Sequence, residues 1–284
     1  MSKAADLKTL LKGPDILLVP GCYDALTARL IERSGFPAGF MSGFAVSASR
    51  LAMPDTGLIS YSEMLEQGRN ICGAVSIPIF GDGDTGYGNA MNVQRTVRGY
   101  ARAGFACIMI EDQLAPKRCG HTRGKQTAGR EEAFARIQAA VDVRDEGEDI
   151  LIMARTDANE TEGLAEAVLR ARTFREIGAD ITFLEAPRNE EEMRYYCKNV
   201  PGPKMANMVE QGKTPILTPE KLQETGYKIA AYPLSLMLAV IQSAETALAD
   251  IFEGKQPAGL SEFMHLQEIV GFPEYYEKEK RYAV

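Results

Sequence analysis

Only two histidines, His121 and His265, stand among the 284 residues, too few for a histidine-rich zinc site. The five cysteines (22, 72, 107, 119 and 197) are odd in number and scattered, with no CxxC pair. That argues against a disulfide framework and for reduced thiols in a cytosolic compartment. A basic excess is missing too. The formal net charge of −7 has the wrong sign for a protein that must neutralise phosphates, so no nucleic-acid partner is expected. No run of about 18 apolar residues suggests a membrane span, and Met1-Ser-Lys-Ala-Ala-Asp6 lacks the apolar core of a secretory signal.

What is present is an ordinary globular composition, 45% hydrophobic and 25% charged. Short β-rich runs alternate with helical patterns along the chain. The expected strands are 16–20, 38–42, 76–81, 106–110, 150–154, 181–184, 204–206 and 228–231. Several are nearly continuous apolar runs, as suits parallel strands covered on both faces. Helical patterns fall at 25–34, 62–72, 91–103, 130–144, 163–177 and 190–197, and several end in glycine (Gly35, Gly104, Gly178), the residue that best accepts a left-handed helix end. Eight such repeats make a single α/β (β/α)8 TIM barrel spanning 1–284 the leading architecture, with a doubly wound open sheet as the alternative. A further helical pattern at 261–270 and an aromatic, charged tail form a C-terminal extension from about 259. That extension is expected to cover a partner or the barrel rim. Cys72 and Cys107 sit in apolar surroundings and read as small core residues.

In a barrel the chemistry lies where strands run into the following loops. Those positions hold Asp24, Ser42, Asp82, Asp84, Glu111, Arg155, Asp157, Glu185, Asn207 and Tyr232. Asp24, Asp157 and Ser42 are also candidate helix N-caps. Capping does not account for Asp82, Asp84, Glu111 and Arg155 together, because carboxylates gathered at one rim repel unless a cation sits among them.

The stretch Gly81-Asp-Gly-Asp-Thr-Gly-Tyr-Gly88 places Asp82 and Asp84 two apart, on one side if the segment is extended. Hard oxygen ligands suit Mg2+ or Mn2+. Spacing excludes an EF-hand, since position twelve is Val93, and no lysine–serine pair follows the glycines to make a P-loop. After Glu111, some seventeen residues pass before a helix resumes near Arg130. Loops of that length are usually lids, binding loops or disordered segments. This one carries Cys119 among Lys117, Arg118 and His121, cations expected to lower the thiol pKa. It runs through Arg123 into Gly124 and Lys125, which do not look like core.

These residues resemble the isocitrate lyase/phosphoenolpyruvate mutase superfamily. The matching strings are 41–43 (MSG), 53–57 (MPDTG), 81–86 (GDGDTG), 110–113 (IEDQ), 117–121 (KRCGH), 154–158 (ARTDA), 184–186 (LEA), 207–215 (NMVEQGKTP) and 232–235 (YPLS), in order across nearly the whole chain. The KRCGH string belongs to the lyase side. The resemblance implies a helix-swapped barrel whose eighth helix packs on a neighbouring subunit, and a homotetramer. It implies Mg2+ on Asp84, with Asp55, Asp82 and Glu111 reaching it largely through water. Ser42, Gly43 and Phe44 are expected to meet one substrate carboxylate, and Arg155 to clamp a carboxylate or developing oxyanion. Gly120, Asn207 and Glu185 complete the pocket. Cys119 is expected as proton donor on a mobile lid, with Lys117, Arg118 and His121 stabilising charge on the departing carboxylate.

The implied reaction is cleavage of the C2–C3 bond of a 2-hydroxy dicarboxylate. Methylisocitrate lyases carry a glycine where Phe44 stands, a tyrosine at Phe40 and an arginine at Leu238. Losing that cation disfavours a third carboxylate. The string at 207–215 points to the dimethylmalate lyase and petal death protein branch, hence a 2-alkylmalate such as 2,3-dimethylmalate, giving pyruvate and propionate. Oxaloacetate hydrolysis and methylisocitrate cleavage are the rival reactions, and a non-catalytic binding barrel the rival class.

Overall fold

The computed structural model describes residues 2–122 and 124–283, so Arg123, at the end of the basic string, lies outside the described residues. Contacts divide the chain into two compact units, Met1–Ser235 and Leu236–Val284.

In the first unit eight parallel strands close on themselves in sequence order. They are β1 (Leu17–Cys22), β2 (Gly39–Met41), β3 (Ile79–Asp82), β4 (Cys107–Glu111), β5 (Leu151–Thr156), β6 (Ile181–Leu184), β7 (Lys204–Asn207) and β8 (Ile229–Tyr232). Closure is by β1 on β8, from Leu17 opposite Ile229 to Pro20 opposite Tyr232, which rules out the open-sheet alternative and leaves no edge strand. All eight expected strands are present. Several run further toward the mouth than their apolar runs suggested, because polar residues join the ladder: Asp82 pairs with Met109, Glu111 with Arg155 and Asn207 with Ala231.

The barrel interior is filled by inward residues including Val19, Phe40, Phe80, Met109, Met153, Phe183 and Met205. Helix Lys3–Lys12, unforeseen in the sequence, packs its fully buried Leu7 into this cluster beside Leu17, Leu151, Ile181 and Ile229, the first residues of their strands. One end of the barrel is thereby plugged, and the mouth at the other end is left for chemistry. The expected helices form at Ala25–Arg33, Tyr61–Ala74, Ala90–Ala103, Arg130–Asp145, Leu164–Ile177 and Glu190–Asn199. Gly104 and Gly178 stand just past two of them at φ +97° and +122°, where a side chain would be strained. Cys72 and Cys107 are buried as expected, and all five cysteines are free.

The second unit holds most of helix Ser235–Phe252, then Phe263–Val270 and Phe272–Lys280. Ser235–Phe252 has a mean hydropathy of 1.3, long and apolar enough by length and composition to cross a membrane. The sequence reading did not single it out, because Glu245 and Asp250 interrupt its apolar run.

Candidate active site

The mouth of the barrel is built from strand ends and from the loop after β4. Two cations organise its carboxylates. Lys117 reaches down from the loop, its Nζ 2.5 Å from Asp55 Oδ1 and 2.9 Å from Asp84 Oδ1, with all three side chains about 5% exposed. Arg155, at the end of β5, gives Nε to Asp157 Oδ2 at 2.8 Å and Nη2 to Asp157 Oδ1 at 3.0 Å. Its Nε also lies 3.3 Å from Glu111, and its Nη2 3.1 Å from Glu185. The repulsion that the sequence raised is answered by these two side chains.

Asp82 and Asp84 are not aligned by an extended segment. Asp84 sits in a turn at φ +47° and donates its backbone N–H to Asp82 Oδ1 at 3.1 Å. Asp82 Oδ2 accepts the Gly43 N–H at 3.1 Å, so that N–H, one of the expected carboxylate contacts, serves the acid cluster in this structure. Burial, with Asp84 adding to it, pushes the Asp82 carboxyl up to about 6. Burial also raises Asp55 against the pull of Lys117, and raises Glu111 well above the carboxylate range. Asp55 Oδ1 and Asp84 Oδ1 are met by the Lys117 ammonium, whereas Glu111 Oε1 is buried without a hydrogen-bond partner. Among the described residues no three acidic, histidine or cysteine side chains stand at metal-ligand spacing. The Lys117 ammonium supplies positive charge between two of the carboxylates.

Of the three candidate caps, Asp24 accepts from Thr27 N and Ser42 from Ala45 N, as expected. Asp157 makes no cap hydrogen bond; its carboxylate is spent on Arg155 and on Lys125 Nζ, 2.9 Å away. Lys125 corrects the sequence reading: it is buried, and contacts Gly120 O at 2.7 Å and Glu160 Oε2 at 3.0 Å as well.

The loop is pinched at its base by a bridge between Gln113 and Thr127 and lies over the mouth. Lys213 donates its backbone N–H to His121 Nδ1 at 3.0 Å. The ring proton is therefore on Nε2, which faces Glu185 Oε1 at 3.2 Å. Despite burial, Arg155 and His121 hold the Glu185 carboxyl far below its usual range. A side chain at Gly120 would come within 2.4 Å of Glu185 and 2.6 Å of Arg155, so only glycine lets the loop approach this closely.

Cys119 is where the electrostatic expectation fails. Its thiol is pushed up to about 11, by burial first, with Asp55 and Glu185 adding to it. Lys117 is committed to carboxylates, and Arg118 is exposed. The thiol is therefore kept protonated at neutral pH.

The cavity is small, about 50 Å3. Its polar wall includes Ser42, Asp55, Asp82, Lys117, Arg118, Cys119, Gly120, His121, Arg155, Glu185 and Asn207, which joins most of the expected site residues. Its apolar lining includes Phe40, Phe44, Met109, Phe183, Met205 and Val209. Asn207 Nδ2 stands 3.4 Å from both Glu185 carboxylate oxygens. The sequence reading missed Met109, Phe183 and Met205 as wall residues, since inward strand positions carry no mark beyond apolarity.

Functional side chains at the C-terminal ends of strands are the mark of (β/α)8-barrel enzymes, and this chain is one. Residues 7–252 match the family described as phosphoenolpyruvate phosphomutase. The chain is 42% identical to a 2,3-dimethylmalate lyase of Eubacterium barkeri, over 100% of its own length and 99% of that protein. It is 44% identical to a 2-methylisocitrate lyase of Aeropyrum pernix, covering 98% and 89%. A solved oxaloacetate acetylhydrolase bound to the inhibitor 3,3-difluorooxalacetate superposes with a TM-score of 0.93 at 34% identity, covering 98% and 96%. The chain belongs to the phosphoenolpyruvate mutase/isocitrate lyase superfamily.

Proposed function

We propose that the enzyme, a carbon–carbon lyase, cleaves a 2-alkylmalate such as 2,3-dimethylmalate to pyruvate and propionate. The observation that carries this reading is a cysteine, Cys119, in the lining of a cavity that offers both charged and apolar side chains. Arg155 and Arg118 offer donors to the two carboxylates of a diacid, and Phe40, Phe44, Met109 and Met205 offer apolar surface for its alkyl groups. A third carboxylate would find no further free cation among the described residues of this lining, Lys117 being held by Asp55 and Asp84, and would stay unpaired at a cost of several kcal/mol, which disfavours a tricarboxylate. The 42% identity to a 2,3-dimethylmalate lyase points the same way.

In the reaction the C2 hydroxyl gives its proton to a carboxylate of the cavity lining, for which Glu185, held ionised by Arg155 and His121, is the candidate, as the C2–C3 bond breaks. The bonding electrons pass to C3, leaving a 2-oxo acid and the enediolate of the second acid. Cys119 delivers its Sγ proton to C3, and the loop over the mouth keeps bulk water from competing. The buried carboxylates of the mouth, Glu111 among them with an unpartnered Oε1, form a hard donor set of the kind Mg2+ takes, with Mn2+ the alternative. Asp84, Asp55, Asp82 and Glu111 are the residues that would hold the ion, Lys117 giving way. When bound it supplies Lewis-acid stabilisation of the C2 alkoxide. Free cysteines fit a cytoplasmic setting. The exposed helix Ser235–Phe252 fits a helix-swapped homotetramer.

The test is a panel of 2-hydroxy diacids assayed for 2-oxo acid release, with and without EDTA. Alkylmalates are expected to turn over fastest, and EDTA to abolish turnover until Mg2+ is restored. Much faster cleavage of methylisocitrate would overturn the substrate reading. One rival keeps a specific observation behind it, the superposition on oxaloacetate acetylhydrolase. Oxalate release from oxaloacetate at a rate above that for alkylmalates would establish it instead.

A further inference from the structure

We propose that Gln113 and Lys125 are positioning residues that clamp the backbone on both sides of Cys119 and so aim its thiol. The inference rests on the reading of Cys119 as proton donor. Gln113 is fully buried. Its side-chain amide donates to Arg118 O at 2.8 Å and accepts the Arg118 N–H at 2.9 Å, so it pairs with residue 118 as a neighbouring strand would. On the other side of the cysteine, Lys125 donates to Gly120 O at 2.7 Å. Its side chain is 0% exposed, and Asp157 and Glu160 hold the ammonium from behind at 2.9 and 3.0 Å. Both clamps have firm roots. The Gln113 carbonyl accepts from Arg136 Nη1 at 2.7 Å, and the Asp157 that holds Lys125 also holds Arg155 with two hydrogen bonds.

Only residues 118–120 hang between the clamps, closed by a turn in which Cys119 O accepts from Thr122 N at 3.0 Å and Thr122 Oγ1 at 2.8 Å. The chemistry of each clamp is specific. A glutamate at 113 cannot donate to Arg118 O, and a methionine at 125 cannot donate to Gly120 O. Since Asp157 is shared, thiol and Arg155 guanidinium are placed by one connected set of bonds. Misplacing a reacting group by about 1 Å costs on the order of 10²-fold in rate.

The experiment uses the full chain with Gln113→Glu, Lys125→Met and Lys125→Arg. Site-resolved mass spectrometry follows iodoacetamide alkylation of Cys119, while kcat and KM are measured on the best diacid of the panel. Expected for the first two are alkylation about 10-fold faster and kcat lower by about 10- to 100-fold. KM should stay within about 3-fold, and Lys125→Arg should recover most of the rate. Unchanged alkylation and kcat in folded Gln113→Glu and Lys125→Met, or a rise in KM alone, would overturn the clamp. Should these variants not fold, amide exchange in the parent decides: a slow Arg118 N–H supports the clamp, and a fast one defeats it. Alkylation and exchange need no substrate, so failure of the clamp is separable from failure of the lyase reading.

Discussion

A cysteine flanked by lysine, arginine and histidine invites the conclusion that it is a thiolate, and geometry reverses it. Lys117 spends its charge on Asp55 and Asp84, and His121 donates toward Glu185. Burial is left to set the thiol, at about 11. A thiol is neutral below its pKa, so a raised value widens the range over which Cys119 carries a proton to give. The expected outcome is a pH–rate profile with no loss of donor near pH 8.5, the ordinary thiol value, and an alkaline limb close to 11. Site-resolved alkylation of Cys119 should rise through the same range; an inflection at 8 to 9 would contradict this account. Lys125 carries the complementary lesson. Beside a glycine in a polar loop it reads as solvated surface, because no local pattern reveals that Asp157, 32 positions away, will neutralise it.

At the scale of elements, the loop's stability rests on its base. Asp112 follows β4 and accepts from Thr156 Oγ1 at 2.7 Å and from the Asp157 N–H at 2.9 Å. Arg170, on helix Leu164–Ile177, binds Asp112 Oδ2 at 3.0 Å and the Ala128 carbonyl at 2.8 Å, tying both ends of the loop to one guanidinium. Asp112 and Arg170 side chains are each 1% exposed. Replacing Arg170 by methionine strands a buried carboxylate, which costs about 3–5 kcal/mol. Urea unfolding is expected to show that loss, and a change under about 1 kcal/mol would mean the pair is replaceable by water. The strands were legible because parallel, doubly covered strands must be apolar throughout, and their order followed from the alternation with helices. Their mouth-side ends were not, since Glu111 and Arg155 keep ladder pairing while carrying site chemistry. Ser42 marked the start of helix Gly43–Leu51, but its body was not legible because its alanines, serines and glycine give little periodic contrast, and Lys3–Lys12 was not because it lies outside the repeating pattern.

For the whole molecule the unanswered surface is the second unit. On helix Ser235–Phe252, Leu238, Val240, Ile241, Leu248, Ile251 and Phe252 are all exposed, Phe252 at 94%. Further on, Leu260, Phe263, Met264 and Tyr276 are exposed as well. Apolar surface left in water costs about 25 cal/mol per Å2, and contiguous patches of it mark association sites. A helix of this composition could lie in a bilayer or against protein. Glu245 and Asp250 in its second half would each cost about 2.5–3.5 kcal/mol or less at membrane depth, by the insertion scale for aspartate, whereas a protein interface leaves them at a wet rim. The expectation is therefore self-association, with light scattering giving about four times the 31.1 kDa chain mass. Ile241→Glu with Leu248→Glu should lower that mass while far-UV circular dichroism retains the barrel signal, because none of the eight strands includes either residue. A parent protein that stays monomeric at micromolar concentration, or that sediments with lipid vesicles, would show that this face meets something other than its own kind.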